Sequence, residues 1–406
     1  MTVLSIALTL LAALLLVPCG VLLVQVLAAL VPAKQSPAEQ SPRATIHVLP
    51  DVCLLMPAHN EATGIAAVLQ SLVPLLGHGS RLLVVADNCT DTTAAIVRGF
   101  ATTCEFVEVI ERHNLQFRGK GYALDHGVRH LQNNPPEVVV VVDADCELAP
   151  KSIDTLAQLC MASRRPVQAL YLMLSPSDAG VKVRLAEFAW LVKNKARALG
   201  FQRLGLPCQL MGTGMAFTWQ QISQAKLNTG HIVEDMQLGV DLALAGTPPL
   251  FCPDALVTSV FPATAEGLST QRTRWEHGHL GVILSQVPLL LWRGASRGNW
   301  ALFAMALDLC VPPLALLTLL AGATLTASLV LVWTGGSVMP GILSVAACAM
   351  LGLAVMAAWY EFGRAVISLW QLCQVPLYVA KKIPLYFYFL VRRQSSWVRS
   401  KRDGEQ

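Results

Sequence analysis

Charge is scarce in this sequence: of 406 residues only 14% are Asp, Glu, Lys or Arg, and aromatics make up 7%. A chain so poor in charge, with a positive mean hydropathy, is expected to lie partly in lipid. From Thr2 to Pro32 charge is missing altogether, over a run long enough to cross a hydrocarbon core of roughly 30 Å. The run also lacks a basic amino-terminal region and exceeds a signal-peptide core, so it reads as a retained anchor. No Cys-x-x-Cys pair occurs among the eleven cysteines, seven of which lie between Cys53 and Cys252. That argues against a zinc site or a disulfide framework and for reduced thiols. No Gly-x-Gly-x-x-Gly follows the first expected strand, which disfavours a dinucleotide site. Net charge is a modest +4, and the basic residues gather near apolar segments instead of in an aromatic-lined stripe, so no nucleic-acid partner is expected.

Beyond Trp300 the chain turns apolar again, with spans expected near Met305–Val332, kinked at Pro312-Pro313, and near Gly341–Tyr360. Val366–Leu390, with Lys381 and Lys382 among Trp370, Tyr378, Tyr386 and Tyr388, reads as an interfacial amphipathic segment in preference to a third carboxy-terminal crossing. The cationic cluster from Lys381-Lys382 through Arg392-Arg393 to Arg399, Lys401 and Arg402 belongs in the cytoplasm by the positive-inside bias. With one amino-terminal and two carboxy-terminal crossings, the middle of the chain is cytoplasmic as well. The expected organisation is therefore a transmembrane helix (1–32), a Pro-, Ser- and Gln-rich linker (33–46), a globular domain (47–265), a further segment with an interface helix (266–299), and carboxy-terminal membrane or interfacial helices with a basic tail (300–406).

Within the globular part, Glu137-Val-Val-Val-Val-Val-Asp143-Ala-Asp145 stands out. Five β-branched apolar residues suit a strand buried on both faces, at the centre of a sheet. The two carboxylates follow at its carboxyl end, where open α/β sheets hold ligands, and their hard oxygens suit Mg2+ or Mn2+. Taken alone, such a pair more often marks solvated loop residues than a site. Strands at Val52–Met56, Arg81–Ala86 and Glu105–Ile110 alternate with helical patterns at Thr63–Leu76, Thr92–Phe100 and Gly121–Leu131, which predicts an α/β, Rossmann-like, mostly parallel sheet with flanking helices. Arg118-Gly119-Lys120-Gly121 places a cation in a loop suited to a diphosphate, or a plain surface lysine. Glu234-Asp235 opens an apolar-periodic helix, where the dipole favours negative charge; such residues are also common caps.

Six motifs in order, Pro57-Ala-His59-Asn-Glu61, Asp87-Asn-Cys-Thr-Asp91, Gly119-Lys120-Gly121-Tyr-Ala-Leu124, Asp143-Ala-Asp145, Val233-Glu234-Asp235 and Gln271-Arg-Thr-Arg274-Trp275, resemble the membrane-bound inverting glycosyltransferases of family 2. That resemblance covers His47 to about Gly281 and extends to cellulose, hyaluronan and poly-N-acetylglucosamine synthases. It implies a GT-A fold, a nucleotide-sugar donor, a divalent cation held by Asp145, and contact of Asp143 with the nucleotide. It also implies that Asp87 binds the uracil and ribose region, while Glu61 and the loop from Pro57 through His59 frame the base. Asp235, with Glu234 beside it, is the candidate general base. Leu210-Met-Gly212-Thr213-Gly214-Met-Ala resembles the family's glycine-bearing segment that lines the acceptor pocket. It departs from the cysteine-containing version of cellulose synthases, which speaks against a cellulose product.

Gln271 and Arg274 share a helix face and can approach diphosphate and acceptor together, with Trp275 offering an apolar face to a sugar ring. His277 and His279 read as interface residues, and Gly281–Trp292 as a helix seating the domain on the bilayer. The resulting expectation is sugar transfer from a nucleotide donor, most simply UDP-linked, to a growing polysaccharide, in a bacterial inner membrane and alongside other export subunits. The alternatives are single addition to a lipid acceptor, as in ceramide glucosyltransferases, and a non-catalytic carbohydrate- or nucleotide-binding regulator. A glycosidase needs no nucleotide-type sheet edge.

Overall fold

The computed structural model describes residues 2–32, 50–77, 79–262 and 265–391. The expected linker, the first residues of the globular domain and the basic tail from Arg392 onward lie outside the described residues. The chain divides into two compact units, one drawn from residues 2–32, 177–206 and 279–391 and the other from 50–176 and 207–278.

In the second unit, eight strands form one sheet in the order β3-β2-β1-β4-β7-β6-β8-β5. They are β1 (Val52–Ala58), β2 (Ser80–Asp87), β3 (Val107–Arg112), β4 (Val138–Val141), β5 (Glu147–Leu148), β6 (Val167–Leu174), β7 (Met215–Thr218) and β8 (Leu250–Val260). The valine strand β4 is central, as its composition requires: each of its residues is buried. Full burial of one such side chain stabilises by roughly 1.5–3 kcal/mol, which holds β4 between β1 and β7. β3, β2, β1 and β4 run parallel, so the ends of β1, β2 and β4 open on one edge.

Beyond β4 the sheet is mixed. β7 is antiparallel to β4, pairing Met215 with Val141, and β6 is antiparallel to β7. β8 returns parallel to β6, and the short β5 is antiparallel to β8. The reversal at β7 has a consequence for the site: it delivers the amino end of that strand, with the Gly212–Gly214 turn before it, to the carboxyl end of β4.

The first unit is helical. Val3–Leu30, Leu314–Trp333 and Met339–Gly363 are long and apolar enough to cross a membrane. The expected span Met305–Val332 is corrected. One helix covers Trp300–Leu309 and a separate one Leu314–Trp333, because successive prolines remove two amide donors and bias the preceding residue away from helix; Pro312-Pro313 is a break. The expected segment Val366–Leu390 consists of three short helices, Leu369–Leu372, Val375–Ala380 and Ile383–Val391.

Residues 177–206, expected within the globular domain, belong to this helical unit. They contain a π-turn, Val192–Arg197, whose last residue is buried. Arg197 donates from Nε to Gln25 Oε1 (3.0 Å) and from Nη2 to Asp308 Oδ1 (2.8 Å) and the Asp308 carbonyl (2.6 Å). Gln25 Nε2 also donates to Asp308 Oδ1 (2.6 Å). A charge this deeply buried persists only when paired and hydrogen-bonded in this way.

Candidate active site

The first wall of the site is made by the loops after β1 and β2. His59 Nδ1–H donates to the Asp87 carbonyl (2.6 Å), and the Glu61 amide donates to Thr93 Oγ1 (2.8 Å). Asn60, at a left-handed φ of 55°, exchanges bonds with Thr90, whose amide donates to its Oδ1 (2.7 Å). The loop that begins at Pro57 is thereby fastened to the loop carrying Asp87. Asp87 itself is buried, and its Oδ1 accepts from Arg112 Nη1 at 2.5 Å and from Asn88 Nδ2 at 3.0 Å. Arg112 lies opposite Asp87 at the end of β3 and stands 5.6 Å over the Tyr122 ring, which in turn packs against Phe117 at 5.4 Å. Arg112 and Phe117 are not singled out by the sequence, and Tyr122 enters there only as part of the Gly119–Leu124 motif; an arginine closing the strand beside the one that ends in Asp87 was the available signal.

The second wall gathers charge. Lys120, expected in a flexible loop, is instead the first residue of the helix Lys120–Leu131. Its Nζ contacts Asp143 Oδ1 at 2.5 Å, donates to the Gly212 carbonyl at 2.7 Å and lies 4.0 Å from Glu234 Oε1. Burial alone would lower the Lys120 pKa, but Asp143 and Glu234 outweigh it and hold it above its ordinary value. Burial pushes the Asp143 carboxyl up, while Lys120 pulls it back. Glu234 is raised to about 7 by burial and by Asp235, against the pull of Lys120.

Glu234 and Asp235 form the first turn of the helix Glu234–Leu244. Gly212 adopts a φ of +92°, and a Cβ there would lie 3.4 Å from Asp235 Oδ2, so the turn before β7 faces Asp235 with bare backbone. Thr213 is fully buried, and its Oγ1 accepts from the Asp143 amide (3.1 Å).

Asp143, Asp145 and Cys146 each offer one ligand atom, all within 4.8 Å of one another. The two carboxylates fit a hard divalent cation. The Cys146 thiol, pushed well above its ordinary pKa by burial and then by Asp145 and Asp143, donates to Asp145 Oδ1 at 3.5 Å and so orients that carboxylate.

Gln271, Arg274 and Trp275 lie on one continuous helix, Ala265–Ser296. The expected separate interface helix Gly281–Trp292 is the continuation of this same helix. Gly278 lets it approach closely: a Cβ there would meet Val233 Cγ1 at 2.4 Å, so the helix rests on the residue just before Glu234. Burial lowers the Arg274 pKa, while Glu234, Asp143, Asp145 and Asp235 all raise it; one guanidinium thus feels all four carboxylates. Gln271 Oε1 is buried and has no hydrogen-bond partner among the described residues. All of the named candidates lie in the second unit. Gln168 is a further residue the sequence did not flag: it is fully buried in β6 and bonded to the turn at Met211 and Thr213.

Residues 50–278, more than half of the chain, match the family described as glycosyltransferase like family 2. Among curated relatives, a probable glycosyltransferase of Bacillus subtilis (strain 168), YdaM, is 27% identical over 255 residues, covering 60% of this chain and 58% of the relative. Poly-beta-1,6-N-acetyl-D-glucosamine synthase of Staphylococcus aureus (strain COL) is 23% identical over 253 residues, with the same shares. The match thus spans less than two thirds of the length of these relatives. Among solved structures, the mannosyltransferase PcManGT from Pyrobaculum calidifontis, in complex with GDP-Man and Mn2+, is similar with a TM-score of 0.53 at 19% identity, covering 92% of this chain and 98% of that one. The mixed sheet of this chain is the GT-A fold which that likeness indicates. Six motifs at one sheet edge and a family match across the whole of that unit lead to one assignment: the chain belongs to glycosyltransferase family 2.

Proposed function

We propose that this protein is a membrane-bound inverting glycosyltransferase that moves a sugar from a nucleotide donor, UDP-linked, to a glycan acceptor in polysaccharide synthesis. The observation that carries this reading is the meeting of Asp143 and Glu234 at Lys120, with Asp145 beside Asp143, Asp235 facing the Gly212 turn and Arg274 in the field of all four carboxylates. Four carboxylates and two cations from separate segments are what a charged donor and a proton transfer require together.

The Pro57–Glu61 loop and Asp87, with Arg112 beside it, receive the nucleobase and ribose. Lys120 and Arg274 take up charge on the departing diphosphate, since fixed cations aimed at developing charge lower a barrier without reorganising. Asp145, with Asp143, would hold a divalent cation such as the Mn2+ of the mannosyltransferase complex, and that cation would supply Lewis-acid neutralisation of the diphosphate. Asp235 accepts the proton of the acceptor hydroxyl as that oxygen attacks the anomeric carbon and the diphosphate leaves from the opposite face. Gly212 leaves room for the incoming sugar, Gln271 Oε1 accepts from one of its hydroxyls, and Trp275 offers it an apolar face. The three apolar helices seat the protein in a bacterial inner membrane with the second unit on the cytoplasmic side, where nucleotide sugars are made.

Incubating the detergent-solubilised full chain with Mn2+ and a panel of UDP- and GDP-sugars, then sizing the labelled product, tests this reading. A polymer is expected. A single sugar on a lipid would move the acceptor assignment to the lipid class, and no transfer from any donor would overturn the proposal.

A further inference from the structure

Three groups of the site touch one short turn. The Gly212 carbonyl accepts from Lys120 Nζ, Thr213 Oγ1 accepts from the Asp143 amide, and the Gly212 backbone faces Asp235. Behind that turn stands one further side chain, from the neighbouring strand, that bonds it on both sides of Gly212. Gln168 is 0% exposed. Its Oε1 accepts from the Met211 amide at 2.8 Å, and its Nε2 donates to the Thr213 carbonyl at 2.9 Å and to the Ala169 carbonyl at 2.9 Å. One amide therefore supplies an acceptor and two donors, of which one acceptor and one donor reach backbone groups on either side of Gly212, where φ is +92°. A hydrocarbon in its place would satisfy neither, and a buried amide or carbonyl without a partner drives the backbone to relax.

We propose that Gln168 is a positioning residue: it clamps the Met211–Thr213 turn and thereby fixes where Lys120, Asp143 and the Gly212 backbone stand relative to Asp235. The proposal rests on the transferase reading above. Gln168 touches neither donor nor acceptor; it acts through the turn. An ammonium has three N–H donors, and the Gly212 carbonyl occupies one of them. If the turn drifts, Lys120 turns toward its carboxylates, and the acceptor-facing backbone moves away from the base. A misplacement on the order of 1 Å costs roughly 100-fold in rate.

The test uses Gln168→Glu and Gln168→Met in the full chain. A neutral Glu reproduces the pattern, with C=O accepting from Met211 and O–H donating to the Thr213 carbonyl. An ionised one aims a second negative oxygen at two carbonyls. At about pH 8 both variants should lose roughly 10- to 100-fold in kcat, a larger factor than any loss in UDP affinity by titration calorimetry, since the displaced turn faces Asp235 and the acceptor as well as Lys120. Near about pH 6, Gln168→Glu should recover toward the wild type measured at the same pH, and Gln168→Met should not; burial of the carboxyl favours its neutral form. If Gln168→Met fails to fold, the pH-dependent recovery within Gln168→Glu carries the test alone. Wild-type kcat in the variants, or a loss in Gln168→Glu that does not change with pH, would overturn the proposal. A wild-type protein that transfers no sugar would instead overturn the transferase reading, so the two failures are distinguishable.

Discussion

Two polar clusters in this molecule, one buried and one half-buried, treat charge in opposite ways. In the helical unit, Arg197, Asp308 and Gln25 close on one another with good donor–acceptor geometry. At the sheet edge, four carboxylates are set against Lys120 and Arg274, Glu234 is pushed to about 7, and Gln271 Oε1 is left without a partner among the described residues. The first arrangement is complete in itself and holds helices together. The second is crowded with like charge, which proteins retain where a ligand or a cation supplies the balance. On the function proposed above, the incomplete cluster carries the chemistry and the complete one the architecture.

The contrast breaks most decisively at Asp145. Asp145→Ala should reduce transfer by at least about 1,000-fold, as expected for losing a cation that stabilises diphosphate charge, and should weaken Mn2+-dependent UDP binding; calorimetry showing undiminished binding would remove the cation assignment. In the other cluster the expected cost is in stability. Asp308→Ala leaves the Arg197 charge buried and uncompensated, for about 3–5 kcal/mol in denaturant unfolding, with turnover per folded molecule unaltered. If Asp308→Ala instead abolished turnover while remaining folded, the division between the clusters would not hold.

Smaller effects sharpen the picture. Gly212→Ala places a methyl 3.4 Å from Asp235 Oδ2 at a φ of +92°, so a loss of roughly 1–2 kcal/mol in stability should accompany a drop in kcat/KM for the acceptor. The last is a pH effect. Glu234 has a folded-state pKa raised from 4.5 to about 7, so the folded protein binds this proton more tightly than the unfolded chain. Stability from this group is full below about pH 4.5, falls as pH rises toward 7 and is level beyond. A shift of this size corresponds to about 3 kcal/mol. Glu234→Gln should flatten that part of the thermal-midpoint profile, and an unchanged slope would assign the titration to another group.

Much of the site was legible in the sequence because its motifs are local: a valine run needs a central strand, carboxylates at its end mark the ligand edge, and Gln271 with Arg274 follows helical spacing. The parallel half of the sheet followed from the alternation of strands and helices. The reversed strand β7 was hidden, since a four-residue apolar strand carries no mark of its direction. Arg112 and Gln168 were hidden for a related reason: each matters through a partner brought close by strand pairing, Asp87 for one and the Met211–Thr213 turn for the other. The break at Pro312-Pro313 was visible as residues but misread, because apolar character on both sides masked the loss of two amide donors.

Asp235→Asn tests the central claim most directly, because it removes the proton acceptor while keeping the shape of the side chain. With UDP-sugar and Mn2+, the account predicts donor affinity within about 3-fold of wild type and transfer reduced by roughly 100- to 10,000-fold. Transfer at a near-normal rate would contradict it.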